Sequence, residues 1–185
     1  MEVTETSIPD VKVIVPPRFG DDRGLFCETY HVDKYRSIGV ETTFIQDNQS
    51  LSRSVGTLRG LHFQTAPHPQ AKLVRVLAGR VLDVAVDVRT GSPTFGQHVA
   101  VELSAENWAQ LFVPRGFAHA FCTLEPNTVV AYKVDGLYAR DCEGGILWND
   151  PDLGIEWPVE DKNVIVSEKD AKLPRLSELG SVFTY

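Results

Sequence analysis

The chain has 185 residues, 43% of them hydrophobic and 23% charged, with a net charge of −7. That length can bury a real core in one domain. No apolar run reaches the ~20 residues of a membrane span, and no basic stripe speaks for nucleic acid. An acidic balance still allows an anionic small ligand, because a few focused Arg and Lys side chains hold a phosphate locally. Cys27, Cys122 and Cys142 form no Cys-x-x-Cys pair, so three reduced thiols are expected, with no disulfide framework and no zinc site. Residues 1–15 carry acids and Thr where a secretory signal has a basic and then an apolar segment, so a cytoplasmic protein is expected.

The 14 Gly and 11 Pro punctuate short apolar runs rich in Val, Leu and Phe, the pattern of many short strands. In chain order, the string Asp22-Arg23-Gly24-Leu25-Phe26-Cys27-Glu28 places Arg23 and Glu28 near one strand. Residues 33–38 predict a short helix. Gln46, Asn48 and Ser50 share one strand face by alternation and form a polar ladder. Residues 80–89 show the clearest period of two: Leu82, Val84, Val86 and Val88 alternate with Asp83, Ala85 and Asp87. Val99, Val101 and Leu103 repeat it, and a single turn with Ser104 as N-cap follows. Val130, Tyr132 and Val134 share a face. Gly91-Ser92-Pro93 and Pro114-Arg115-Gly116 read as turns. The polar stretch 167–179, with Pro174, is expected to wrap the surface. The fold class predicted is all-β: one domain over residues 1–185, an antiparallel jelly-roll barrel of cupin-like type with a few short helices.

Two strings carry candidate chemistry. The first is Leu58-Arg59-Gly60-Leu61-His62-Phe63-Gln64, followed by Lys72, which shares a face with Val74 and Val76. A Lys on an apolar face either meets an anion or sits at the strand end and snorkels to water. The second is Pro114-Arg115-Gly116-Phe117-Ala118-His119. Taken alone, each His is a packing residue as readily as a ligand. Together they resemble the two halves of the cupin metal pattern, but Gln64 stands where a second His would, and no Glu follows. Two imidazoles and an amide are a poor set for zinc or iron. The reading is a barrel without a metal whose histidines move protons.

The chain further resembles the dTDP-4-dehydrorhamnose 3,5-epimerase family from about residue 19 to residue 174. The matching strings include Arg23-Gly24-Leu25-Phe26 with Glu28, Gln46-Asp47-Asn48, Leu58-Arg59-Gly60-Leu61-His62, Gln70-Ala71-Lys72-Leu73, Pro114-Arg115-Gly116-Phe117-Ala118-His119, Trp148-Asn149-Asp150-Pro151 and Ser167-Glu168-Lys169-Asp170. One departure is Ala120, where the family often has Gly. The resemblance implies a dTDP-linked 4-keto-6-deoxy sugar as substrate, epimerised at C-3 and C-5 without a cofactor or metal. It implies His62 as base, Asp170 bonded to it, Tyr132 as proton donor and Lys72 at the enolate. It places Arg59 and His119 at the diphosphate and sugar, and Tyr138 as a stack for thymine. Gln46, Asn48, Glu143 and Lys169 fall at further contact positions. Arg23 and Glu28 match residues that reach a neighbouring subunit's site, which implies a homodimer whose N-terminal strands form part of the interface.

One point of geometry is open. Arg59 and His62 are three residues apart and fall on opposite faces of a regular strand, so a shared site needs a bulge near Gly60. Three other functions remain as alternatives: an enzyme inverting only one carbon, a metal-dependent cupin, and a non-catalytic sugar-binding module.

Overall fold

The structure is a computed structural model that describes all 185 residues. Fifteen strands and one α-helix follow in order. β1 (Glu2–Glu5) and β2 (Lys12–Val15) form a hairpin, as do β3 (Arg18–Asp21) and β4 (Gly24–Cys27). Helix α1 (Val32–Arg36) comes next, then β5 (Gln46–Ser52), β6 (Leu58–Gln64), β7 (Lys72–Ala78) and β8 (Arg80–Asp87). They are followed by β9 (Arg89–Thr90), β10 (His98–Ser104), β11 (Gln110–Val113), β12 (Phe117–Thr123) and β13 (Thr128–Val134). The last two are β14 (Glu143–Gly145) and β15 (Phe183–Thr184). A six-stranded sheet in the order β1-β2-β11-β7-β13-β5 faces a five-stranded one in the order β10-β8-β12-β6-β14. The pairings within both are antiparallel, as the alternation predicted. No helix is long and apolar enough to cross a membrane.

The main core lies between the sheets. Val74, Val76, Leu111 and Val130 come from one sheet and Val81, Ala85, Leu103, Phe117 and Phe121 from the other. Helix α1 covers the outer side of the six-stranded sheet through Tyr35, whose hydroxyl lies 2.9 Å from both the Thr29 carbonyl oxygen and Gln110 Oε1 and donates to one of the two. It begins at Val32, one residue before the expected start, because the His31 ring caps it by accepting from the Asp33 N–H. The predicted turn after β10 is closed by Ser104 and Asn107, each side chain accepting from the other's backbone N–H.

Strand β8 is buried on both faces. Val84 and Val86 pack outward against Leu61, Phe63, Ala118 and Ile146, under a C-terminal cover that includes Ile155, Trp157 and Leu176. The Asp83 and Ala85 side of the strand is equally buried. The stretch after residue 150 therefore seals a second core and does more than wrap the surface. Its end is pinned where β15 pairs in parallel with β9. There the Arg89 guanidinium lies 4.6 Å from the Phe117 ring centre and 4.9 Å from that of Tyr185.

Arg89 is held by buried Asp87, which also accepts from the Ser92 and Thr94 hydroxyls. Burial pushes the Asp87 carboxyl up, but the hydrogen bonds from Arg89, Ser92 and Thr94 prevail and hold it down at about 2. Folding thus lowers this pKa, so the stabilisation is full above about pH 4 and is lost as pH falls through about 2. Asp87→Asn is expected to lose about 2 kcal/mol at pH 7. Urea unfolding should show that gap closing towards pH 2; a gap independent of pH would refute the ionic account.

Candidate active site

The site forms between the two sheets, lined by strands of both. Strand β5 has an unusual inner face: Gln46, Asn48, Ser50 and Ser52 point inward while Asp47, Gln49 and Leu51 are exposed. A polar inner face cannot close a dry core, so this wall borders a cavity. The cavity is about 510 Å³ and is lined by His62, Lys72, Tyr132 and Asp170 together with Arg59 and His119. Lys169 and Ser50 also border it. A second cavity of about 210 Å³ adjoins it through His62, Lys72 and Tyr132 and continues to Gln46, Asn48, Gln70, Tyr138 and Glu143. The Lys169 Nζ donates to Glu143 Oε2 at 2.6 Å and ties the two ends together.

Arg59 and His62 do share the cavity, and the reason is a bulge. His62 pairs with His119 and Arg59 with Phe121, so three steps on β6 match two on β12. Gly60 is the residue that makes this fit, with φ +130° and no room for a Cβ. The bulge also turns the Gly60 N–H to Asp170 Oδ2 at 3.4 Å. Asp170 arrives from a turn in which its own N–H donates to Ser167 Oγ, and its Oδ1 meets His62 Nε2 at 2.8 Å. The His62 side chain keeps 39% of its surface exposed, whereas that of Asp170 keeps 7%. Burial pushes the Asp170 carboxyl up, but hydrogen bonds from His62 and the Gly60 amide outweigh it and hold the group below its usual value. An ionised Asp170 accepts only, so His62 Nε2 carries the proton and Nδ1 keeps the basic lone pair.

Lys72 is buried at the start of β7, and its Nζ donates to the His62 carbonyl at 3.4 Å. Desolvation lowers its ammonium to about 8, opposed by the charge of Asp83. It does not snorkel. Burial pushes the His119 imidazole down, while Asp83, whose Oδ1 lies 2.8 Å from His119 Nε2, works against that. Burial raises the Tyr132 phenol, with Arg59 opposing. Gln64 is fully engaged by backbone: its Nε2 donates to the His68 and Leu137 carbonyls and its Oε1 accepts from the Ala139 N–H. With both His Nε2 atoms held by carboxylates and the amide spent, these residues do not form the metal set that the cupin pattern requires.

The sequence profile of the dTDP-4-dehydrorhamnose 3,5-epimerase family matches residues 5–178. The chain belongs to that family. This epimerase is 50% identical over 179 residues to the dTDP-4-dehydrorhamnose 3,5-epimerase of Sinorhizobium fredii, covering 97% of this chain and 91% of the relative. The solved dTDP-4-dehydrorhamnose 3,5-epimerase of Bacillus anthracis, with TDP and PPi bound, superposes with a TM-score of 0.91 at 50% identity, over 94% of this chain and 98% of that one. The dTDP-6-deoxy-D-glucose-3,5-epimerase of Legionella pneumophila, in complex with dTDP-4-keto-L-rhamnose, gives a TM-score of 0.94 at 43% identity, over 100% and 98%. The epimerase is accordingly an isomerase on a cupin-like jelly roll.

Two sequence candidates stand outside both cavities of their own chain. Arg23, at the tip of the β3–β4 hairpin, is exposed and bonded to Asp21, and Glu28 pairs with Lys34. Three residues at or behind the site were not among the candidates: Ser50, Gln70 and Asp83. Ser50 and Gln70 had a signal, being in or beside matching strings. Asp83 likewise opens a string shared with the family, Asp83-Val84-Ala85-Val86-Asp87-Val88-Arg89, but no role was attached to it.

Proposed function

We propose that this epimerase converts dTDP-4-dehydro-6-deoxy-D-glucose into dTDP-4-dehydro-L-rhamnose by inverting C-3 and C-5, with no metal or redox cofactor. The observation that carries the reading is that His62 on β6 and Tyr132 on β13 belong to opposite sheets and border one cavity. Inversion needs a proton taken from one face of a carbon and returned to the other. The 4-keto group makes the hydrogens at C-3 and C-5 acidic, because loss of either gives an enolate. His62 takes the proton through Nδ1, and ionised Asp170 supports the imidazolium that forms. Lys72 faces the enolate oxygen in a site of low dielectric, where one such donor is worth about 3 kcal/mol. Tyr132, kept protonated by burial, returns a proton from the other wall.

Arg59 and Lys169 hold the diphosphate through charge-assisted hydrogen bonds, and His119 meets the sugar. The exposed ring of Tyr138 stacks on the thymine, flanked by Gln46, Asn48 and Glu143. The test is turnover in deuterated water followed by reduction of the product. Deuterium at both carbons is expected; deuterium at one carbon means a single inversion, and none means no epimerase chemistry at this site. Tyr132→Phe should slow formation of inverted product by about 10²–10³ yet leave wash-in from the His62 face. Equal loss of both would remove Tyr132 as the donor.

The working form is a homodimer in the cytoplasm, each chain acting as one jelly-roll unit. The support is the β3–β4 hairpin, which exposes Phe19, Leu25 and Phe26 at 62%, 60% and 68%. Apolar side chains clustered on one projecting hairpin mark an interface, and Arg23 and Glu28 lie on or beside that hairpin, free to serve the neighbouring site. Sedimentation equilibrium should return about twice the 20.5 kDa of one chain, and Phe26→Asp should halve it; a wild-type monomer would rule the dimer out.

A further inference from the structure

Behind the site lies a carboxylate to which the epimerase chemistry above gives no part. Asp83 sits mid-strand in β8 with no exposed surface. Its Oδ1 bonds His119 Nε2 at 2.8 Å, and its Oδ2 is buried with no hydrogen-bond partner. Two basic side chains, Lys72 and His119, are buried in the same region; His119 touches Asp83 directly, and Lys72 lies within reach of its charge. A buried carboxylate persists as an anion only beside a compensating cation, and a buried ammonium has the same need.

The charged and titratable groups around Lys72 are few. Strand β6 supplies Arg59 and His62, β12 supplies His119, β13 supplies Tyr132, and the C-terminal segment supplies Lys169 and Asp170. Strand β5 contributes uncharged Ser50 to the same cavity. The adjoining cavity, which Lys72 also borders, adds Tyr138 and Glu143. Asp170 is committed to His62 and Glu143 to Lys169. Asp83 is the carboxylate left for Lys72, and it is the group whose charge acts on Lys72 in the direction of protonation.

We propose that Asp83 is a positioning residue: it keeps Lys72 charged as the partner of the enolate oxygen and fixes the tautomer of His119. This rests on the reading of Lys72 given above. One negative charge serves two bases, and burial decides which of them holds the proton. The His119 ring is driven to its neutral form, donates Nε2–H to Asp83, and turns Nδ1 into an acceptor for the sugar. Lys72 holds the proton, so the interior carries one cation against one anion while the enolate is absent. When the enolate forms, the ammonium is already in place and needs no proton from solvent.

The experiment is the pH profile of kcat/KM for wild type and for Asp83→Asn, which keeps the shape and an acceptor for His119 but removes the charge. The wild type should lose activity above pH about 8 as Lys72 deprotonates. In Asp83→Asn that alkaline limb should move down by at least about one pH unit, with a loss of about tenfold or more at pH 7.5 that partly recovers in more acidic buffer. In a Lys72→Met background the limb should be absent, and Asp83→Asn should add little further loss. A limb that stays in place while activity falls equally at every pH means a structural role and overturns the proposal. If Asp83→Asn does not fold, NMR of the wild type reads the same division of charge. Charged Lys72 beside neutral His119 at pH 7 supports it; any other division overturns it. Turnover with an unmoved limb sinks only the role of Asp83, whereas no turnover of the 4-keto sugar by wild type sinks the functional reading itself.

Discussion

His62→Asn is expected to lower kcat by about 10³–10⁴, some 4–5 kcal/mol of barrier, with no deuterium entering either carbon. Asn fits the space of the imidazole and can still donate to Asp170, so the pocket survives. What disappears is the basic lone pair that Nδ1 presents once ionised Asp170 has claimed Nε2–H. Affinity for dTDP, measured by calorimetry, should stay within about threefold, because the nucleotide is held by groups elsewhere in the site. Asp170→Asn tests the same link from the other end. Its amide can donate to Nε2 and favour the Nδ1–H tautomer, which places the proton where the lone pair is needed; a loss of about 10²–10⁴ follows. If His62→Asn kept a tenth of wild-type turnover, the base would have to be sought elsewhere, with His119 the next imidazole in the cavity.

Much of this site was legible in the sequence because its residues lie inside strings that strand alternation keeps together. The inward face of β5 was read from Gln46, Asn48 and Ser50, and the cavity wall is that face. Asp170 had no local signal: it sits in a polar segment that would otherwise be a solvated turn, and only the family resemblance tied it to a strand 108 residues away. Asp83 was missed for a physical reason. The alternation of β8 shows one apolar and one mixed face, which for an ordinary outer strand means core and solvent. Here the apolar face packs under the C-terminal segment and the mixed face looks into the barrel. Period two gives the two faces but not which one is covered, and the cover comes from residues far along the chain. Arg23 and Glu28 show the complementary case, since their place in a site depends on a second chain.

Gly60→Ala is expected to be the most damaging small substitution in the molecule, removing activity and about 3–5 kcal/mol of stability, a loss of about 10 °C in Tm for a chain of this size. A Cβ at that position would lie 2.4 Å from Ala120 Cβ, 2.6 Å from Ala120 Cα and 2.6 Å from the His119 carbonyl oxygen, at a φ of +130°. None of these is the end of a flexible side chain, so β6 and β12 must separate or the bulge must unwind. Unwinding restores a regular strand, and with period two Arg59 and His62 then return to opposite faces. One of them leaves the cavity, and the Gly60 N–H no longer meets Asp170 Oδ2. Diphosphate binding and proton abstraction therefore fail together, which separates this variant from His62→Asn, where binding persists. Ala120→Gly in the same chain removes the Cβ at 2.4 Å but leaves the contacts to its Cα and to the His119 carbonyl. It should return part of the lost stability and little of the activity. Full activity in the Gly60→Ala single variant would show that the bulge is not what brings the arginine and the histidine into one site.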